Sequence, residues 1–89
     1  MKYELFVDER IDDKLVRFPR SVVRGIDKAL LALRDDPRPR GCRKIRGTKD
    51  CWRVTVRKDY RILYRVDDEA KAIEVYEITR KEKDIYRRR

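Results

Sequence analysis

The sequence predicts an α+β domain in which an N-terminal helical hairpin packs on one face of a twisted, mainly antiparallel sheet of about four strands. Apolar residues recur twice at helical spacing between residues 11 and 33, and they alternate with polar residues in two consecutive runs after residue 51. Because 89 residues suffice for one compact domain, we expect a single domain over residues 1–89. The expected order is β-α-α-β-β-β, with a basic C-terminal tail at about residues 80–89.

The N-terminal half predicts the first strand and both helices. Residues 3–7 are rich in strand-forming types, and the acidic pair Asp8 and Glu9 then suits the start of a helix. The first helix has a short apolar stripe, formed by Ile11, Leu15 and Phe18. Pro19 interrupts that helix and suits the first turn of a second one. The second helix has a longer apolar stripe, formed by Val22, Ile26, Ala29, Leu30 and Leu33. We expect it to end near Asp36, because two prolines follow.

Two strongly alternating runs predict a hairpin with one apolar and one basic face. The apolar face comprises Trp52, Val54 and Val56 of the first run and Tyr60, Ile62, Tyr64 and Val66 of the second. The other face comprises Arg53, Thr55, Arg57, Arg61, Leu63 and Arg65. Because paired residues share a face, we expect a three-residue loop or a bulge near Lys58 and Asp59. A short extended segment at residues 42–46 precedes the hairpin, and residues 72–78 supply a last strand.

The charge distribution indicates a polyanionic partner. The chain carries 26 basic and 17 acidic residues, a net charge of +9. The excess is concentrated in residues 38–58, where nine basic residues stand against Asp50 alone. A focused positive field of this kind is typical of surfaces that bind nucleic acid.

Other partner classes are disfavoured by what the sequence lacks. No apolar run is long enough to cross a bilayer, and the first ten residues lack the apolar core of a signal peptide, so we expect a cytoplasmic protein. There is no histidine, and Cys42 and Cys51 lie nine residues apart, which leaves too few soft ligands for a tetrahedral metal site. We expect neither metal nor cofactor and two reduced thiols, with a disulfide between neighbouring strands left open.

The arginines of the predicted basic face are candidates for binding phosphate. Like charges on neighbouring strands destabilise a sheet unless an anion neutralises them. Guanidinium offers paired donors to two phosphate oxygens and keeps its charge at any working pH. The alternative is that these long side chains extend into water and only cover the open sheet.

Five short motifs follow one another along the chain. They are Lys44-Ile45-Arg46-Gly47, Trp52-Arg53-Val54-Thr55-Val56, Asp59-Tyr60-Arg61-Ile62-Leu63-Tyr64, Ile78-Thr79-Arg80 and Ile85-Tyr86. Together they resemble the RelE-type toxins of bacterial and archaeal toxin–antitoxin modules. The resemblance covers nearly the whole chain, and its most specific element is the segment at residues 60–64.

The resemblance implies a metal-free endoribonuclease that cleaves messenger RNA on the ribosome. In that chemistry the 2′-hydroxyl attacks the adjacent phosphate and leaves a 2′,3′-cyclic phosphate and a 5′-hydroxyl. Arg61 would stabilise the transition state, Arg53 would hold the phosphate or influence proton transfer, Arg80 would help to protonate the leaving oxygen, and Tyr86 would orient the substrate base. Further RNA contacts are expected from Lys44, Arg46, Arg57, Lys58 and Arg65.

One position departs from the family pattern. Thr55 stands where well-studied members carry a second lysine, and threonine cannot act as a base at neutral pH. Lys58, Tyr86 or a water-mediated path are the alternatives for the general base, and slow cleavage is one expectation.

Two other functions remain open at this point, together with one partner. The chain would alternatively be a toxin of the ParE type that acts on DNA gyrase, or a non-catalytic module that binds RNA or the ribosome. For a toxin of either the RelE type or the ParE type, we expect a small acidic antitoxin encoded alongside. Its amphipathic helix would cover the basic face or the groove beside the helical hairpin.

Overall fold

The computed structural model describes residues 2–81, in which five strands and two helices follow one another in the order β1-α1-α2-β2-β3-β4-β5. The helices are α1 (Glu9–Leu15) and α2 (Arg20–Asp35). The strands are β1 (Glu4–Val7), β2 (Arg43–Lys44), β3 (Cys51–Val56), β4 (Tyr60–Asp67) and β5 (Ala72–Arg80). Tyr86 and most of the predicted basic tail lie outside the described residues.

All five strands join one sheet in the order β1-β5-β4-β3-β2. β1 runs parallel to β5, and the other three pairs are antiparallel. The predicted α+β fold is confirmed, but the sheet has five strands where about four were expected. The additional strand is β2, in which Arg43 pairs with Arg53 and Lys44 with Trp52. Two residues are too few to show an alternating pattern, so the sequence indicated only an extended segment.

Both helices pack on one face of the sheet and bury their apolar stripes there. Asp8 caps α1 by accepting a 2.9 Å hydrogen bond from the backbone N–H of Arg10. The core combines helix and sheet residues, namely Tyr3, Ile11, Val22, Ile26, Leu30, Leu33, Val56, Tyr60, Ile62, Tyr64, Val66, Ile73, Val75 and Ile78. Neither helix of residues 2–81 has the length and apolar character needed to cross a membrane.

The β3–β4 hairpin has the predicted geometry. Val56 pairs with Tyr60, which leaves a three-residue loop, Arg57-Lys58-Asp59. Arg57 and Lys58 have φ values of 49° and 67°, so two consecutive side-chain-bearing residues occupy the left-handed region. Tyr60 and Tyr64 lie in the core, as their places on the apolar face predicted.

A β-bulge in β5 changes which side of the sheet its last residues face. Leu63 pairs with Glu77 while Tyr64 pairs with Val75, so Tyr76 has no partner in the ladder. Before the bulge Val75 points to the core, and after it Ile78 does. Thr79, opposite Arg61, therefore faces away from the helices.

The two cysteines are free thiols. The register that pairs Arg43 with Arg53 places Ile45 beside Cys51, where the Ile45 N–H donates to the Cys51 carbonyl at 2.9 Å. Cys42 lies three residues before Ile45 and therefore not beside Cys51, and the disulfide that the sequence left open is not formed.

Candidate functional site

Two adjoining pockets open on the sheet face opposite the helices, and both are lined by Arg43, Arg53 and Arg61, which we call the arginine cluster. The smaller, about 150 Å³, is the polar pocket; its other lining residues are Gly41, Thr55, Lys58 and Lys81. The larger, about 670 Å³, is the side pocket; its other lining residues are Cys42, Lys44, Ile45, Arg46, Leu63 and Thr79.

The sheet register brings the arginine cluster together. Arg53 of β3 pairs with Arg43 of β2, and Arg61 of β4 pairs with Thr55 of β3. Opposite residues in an antiparallel pair have Cβ atoms roughly 5 Å apart and point to the same face. Three neighbouring strands thus each place one guanidinium on the same surface, and Arg53 and Arg61 are partly buried there.

The two pockets are strongly positive. Within residues 2–81, none of the residues lining either pocket is acidic, and no ion pair involves a member of the arginine cluster. Three guanidinium groups without a carboxylate partner in this part of the chain repel one another. A bound anion relieves that repulsion, and phosphate matches the fork of donors that each guanidinium offers.

Lys44, Arg46 and Lys58, from which RNA contacts are expected, all line these pockets. Lys58 belongs to the polar pocket, while Lys44 and Arg46 belong to the side pocket. The left-handed conformation of Lys58 sets the direction of its side chain from the hairpin loop.

Arg65, from which an RNA contact was expected, lines neither pocket in the described structure. It lies on the same strand and face as Arg61, but it pairs with Glu74 at 3.1 Å and with Asp50 at 3.6 Å. The hydrogen bond to Glu74 raises the pKa of Arg65. Its charge is already compensated by two carboxylates, so it adds little attraction for an anion.

Arg57 was wrongly placed on the basic face. It lies in the hairpin loop, where the alternation of the strand no longer applies. Its side chain runs beside α2, since a Cβ placed on Gly25 would lie 3.4 Å from Arg57 Cδ. Arg57 is therefore directed toward the helical side and lines neither pocket in the described structure.

Arg80 does not join Arg53 and Arg61, contrary to expectation. Its guanidinium carbon lies 5.9 Å from the ring centroid of Tyr60, a core residue on the helical side. The cause is the bulge at Tyr76, which reverses the facing of every later residue in β5. A signal was present in the sequence, because Ile73, Val75 and Ile78 share one face only if a residue is skipped between the last two.

Two residues that the sequence analysis did not select lie in the site. Lys81 lines the polar pocket, and its backbone N–H donates a hydrogen bond to the Asp59 carbonyl, which ties the end of β5 to the hairpin loop. Arg43 lines both pockets and was hidden because β2 is so short.

The donor set suits anions and not cations. No group of three or more His, Cys, Asp or Glu side chains able to hold a metal lies within residues 2–81. Arginine and lysine donate hydrogen bonds and cannot accept them. The site can therefore bind phosphate groups and stabilise negative charge that develops on them.

Comparison with known proteins identifies the family. The family model described as "ParE toxin of type II toxin-antitoxin system, parDE" matches residues 9–85. No curated protein matches the chain significantly.

Among solved structures, an arginine-to-alanine double mutant of the E. coli toxin RelE in the free state is 30% identical, covering 97% of this chain and 92% of that one, with a TM-score of 0.76. RelE from the archaeal RelE–RelB complex of Pyrococcus horikoshii is 25% identical, covering 93% and 99%, with a TM-score of 0.79. A chain of the intact E. coli RelBE toxin–antitoxin complex is 29% identical, covering 91% and 99%, with a TM-score of 0.77. The chain thus belongs to the RelE/ParE superfamily of type II toxin–antitoxin toxins, and its structure is close to RelE.

Proposed function

We propose that this toxin is an endoribonuclease that cleaves messenger RNA, on the ribosome, by attack of a 2′-hydroxyl on the adjacent phosphate. The observation that carries the proposal is the arginine cluster, three guanidinium groups shared by two adjoining pockets that have no acidic lining residue within residues 2–81. The family membership and the solved RelE relatives support a toxin with this fold.

The polar pocket is the proposed place of the scissile phosphate. A cavity of about 150 Å³ has room for a phosphodiester group and lies between cationic side chains from three strands. When the 2′-oxygen bonds to phosphorus, the phosphorane carries an additional negative charge, which Arg53 and Arg61 stabilise. The bond to the 5′-oxygen then breaks, leaving a 2′,3′-cyclic phosphate on one fragment and a 5′-hydroxyl on the other.

Two proton transfers accompany this reaction, and the polar pocket offers two titratable side chains for them, Lys58 and Lys81. Arginine does not release its proton in a protein, so the arginine cluster serves as fixed positive charge. In our proposal Lys58 accepts the proton of the 2′-hydroxyl, directly or through water. Lys81 donates a proton to the departing 5′-oxygen, the role that the resemblance implied for Arg80.

The direct test is to add the purified protein to ribosomes programmed with a defined messenger RNA and to map the RNA ends. We expect new ends bearing a 2′,3′-cyclic phosphate and a 5′-hydroxyl. Arg61→Ala should abolish them, whereas Arg65→Ala, on the same strand but paired with carboxylates, should retain them. An absence of new ends with the unaltered protein, or equal cleavage by the Arg61→Ala variant, contradicts the proposal.

We also propose that a small acidic antitoxin holds this toxin inactive. Two of the solved relatives are RelE toxins in complexes with RelB antitoxins. The positive charge around the arginine cluster, which no carboxylate within residues 2–81 pairs with, would attract an acidic helix that covers the pockets. Co-expression of the acidic protein encoded next to this chain should restore growth and yield a stable complex. The assignment is contradicted if expression of this protein does not slow growth and no small acidic protein is encoded next to it.

A further inference from the structure

The side pocket contains an apolar surface that the binding of a phosphate does not explain. Leu63 and Ile45 line it and are partly buried, yet neither belongs to the hydrophobic core or packs against it. Leu63 lies on the open face of the central strand β4, directly opposite Arg53. Two aliphatic side chains that line one concave pocket beside guanidinium groups, away from the core, favour a ligand with its own apolar surface.

The position of this apolar surface restricts what that ligand can be. The side pocket and the polar pocket share all three members of the arginine cluster, so a group in the side pocket lies next to the proposed phosphate. The cavity of about 670 Å³ is within the range of small-molecule sites, whereas the polar pocket is far below it. A single ligand that fills both pockets therefore combines a phosphate with a bulky group that has apolar faces.

A nucleobase meets these requirements. Its flat faces are apolar and pack against side chains, while its edges carry hydrogen-bonding groups. In the side pocket Leu63 and Ile45 would contact a face, and Lys44, Arg46 and Thr79 provide donors near the edge. These donors line the side pocket, whereas Lys58 and Lys81 line only the polar pocket.

We infer that Leu63 and Ile45 form a nucleobase subsite, which holds the base of a nucleotide adjoining the phosphate in the polar pocket. This inference rests on the proposed function and adds a subsite to it. It assigns part of the substrate affinity to packing against the base, separately from the contacts with the phosphate.

The test compares ligands that share a phosphate and differ in the base. Each of the four nucleoside 5′-monophosphates and ribose 5-phosphate is titrated into the purified toxin by calorimetry. We expect at least one nucleotide to bind about 10-fold more tightly than ribose 5-phosphate, a factor at the low end of what base packing on a side chain contributes. Leu63→Ser should remove that advantage while the affinity for ribose 5-phosphate stays unchanged, and Leu63→Met should preserve it.

The control is Leu31→Ser, which alters an exposed leucine on α2 and should leave all affinities unchanged. The inference is overturned if no nucleotide binds more tightly than ribose 5-phosphate, or if Leu63→Ser weakens both kinds of ligand equally. Failure of the proposed function looks different, because base-dependent binding would persist while messenger RNA on ribosomes remained uncut.

Discussion

Lys58 has a strained backbone conformation and also a proposed role in proton transfer. Replacing it with glycine should raise the stability of the protein and lower its cleavage rate. Its φ of 67° follows a φ of 49° at Arg57, so the hairpin loop holds two consecutive residues in the left-handed region. That region costs a residue with a Cβ about 1–2 kcal/mol, and glycine adopts it freely. Glycine's greater freedom in the unfolded chain offsets about 0.5–1 kcal/mol of the gain.

For Lys58→Gly we therefore expect the free energy of unfolding to rise by about 1 kcal/mol, which raises Tm by roughly 4–8 °C in a domain of this size. The same substitution removes a titratable group from the polar pocket, so the single-turnover cleavage rate should fall by about 100-fold. Chemical denaturation and cleavage of ribosome-bound messenger RNA measure the two effects.

Arg57→Gly is the matched control. It relieves the neighbouring left-handed residue, but its side chain runs beside α2 and not into the pockets, so cleavage should be unchanged. Its stability gain should be smaller, because some packing near Gly25 is lost. A Lys58→Gly protein that is less stable, or one that cleaves at the original rate, refutes the reasoning.

Three further predictions concern other parts of the molecule. Lys81→Ala should slow cleavage about 100-fold while Arg80→Ala leaves the rate nearly unchanged, because Lys81 lines the polar pocket and Arg80 lies beside Tyr60. A cleavage assay in which Arg80→Ala is the slower variant would restore the role first assigned to Arg80. Tyr64→Phe should lower the free energy of unfolding by about 1–3 kcal/mol in a denaturation experiment, because it leaves the Pro37 carbonyl without its 2.7 Å hydrogen bond, and an unchanged stability would argue against that bond. The hydrogen bonds from Arg10 lower the pKa of Asp8 to about 2, so the stability that the Asp8 carboxylate contributes is present above its unfolded pKa near 4 and is lost as pH falls toward 2. Asp8→Asn should therefore be less stable than the unaltered protein at pH 6 and differ little from it at pH 2. A stability difference that grows on acidification would contradict this.

The parts of the fold that follow from strict periodicity could be predicted from the sequence. The alternation through β3 and β4 fixes which residues face the core, and the need for Val56 to meet Tyr60 requires an odd loop. The helical stripes likewise predict both helices and the side of the sheet that they cover. These features depend only on local spacing, which a single sequence displays in full.

The positions of the site residues depend on features that local spacing does not determine. The facing of Arg80 is decided by the bulge at Tyr76, which shifts the register by one residue. The neutralisation of Arg65 depends on Glu74 and Asp50, which approach it only through pairing between strands and through the turn before β3. The alternating pattern placed Arg53 and Arg61 on one face of neighbouring strands, where the structure has them, but neither the pattern nor the resemblance to RelE-type toxins selected Arg43 or Lys81.

The central claim is that Arg61 acts on the transition state and does not merely hold RNA. The most direct measurement compares the single-turnover cleavage rate with the RNA affinity for Arg61→Lys, with Arg65→Lys as the control on the same face of β4. We predict that Arg61→Lys slows cleavage by about 100-fold while the Kd for RNA changes by less than about threefold, because lysine keeps the charge but loses the paired donors. Equal and small losses of rate and affinity would contradict the claim and favour a toxin that binds RNA without cutting it.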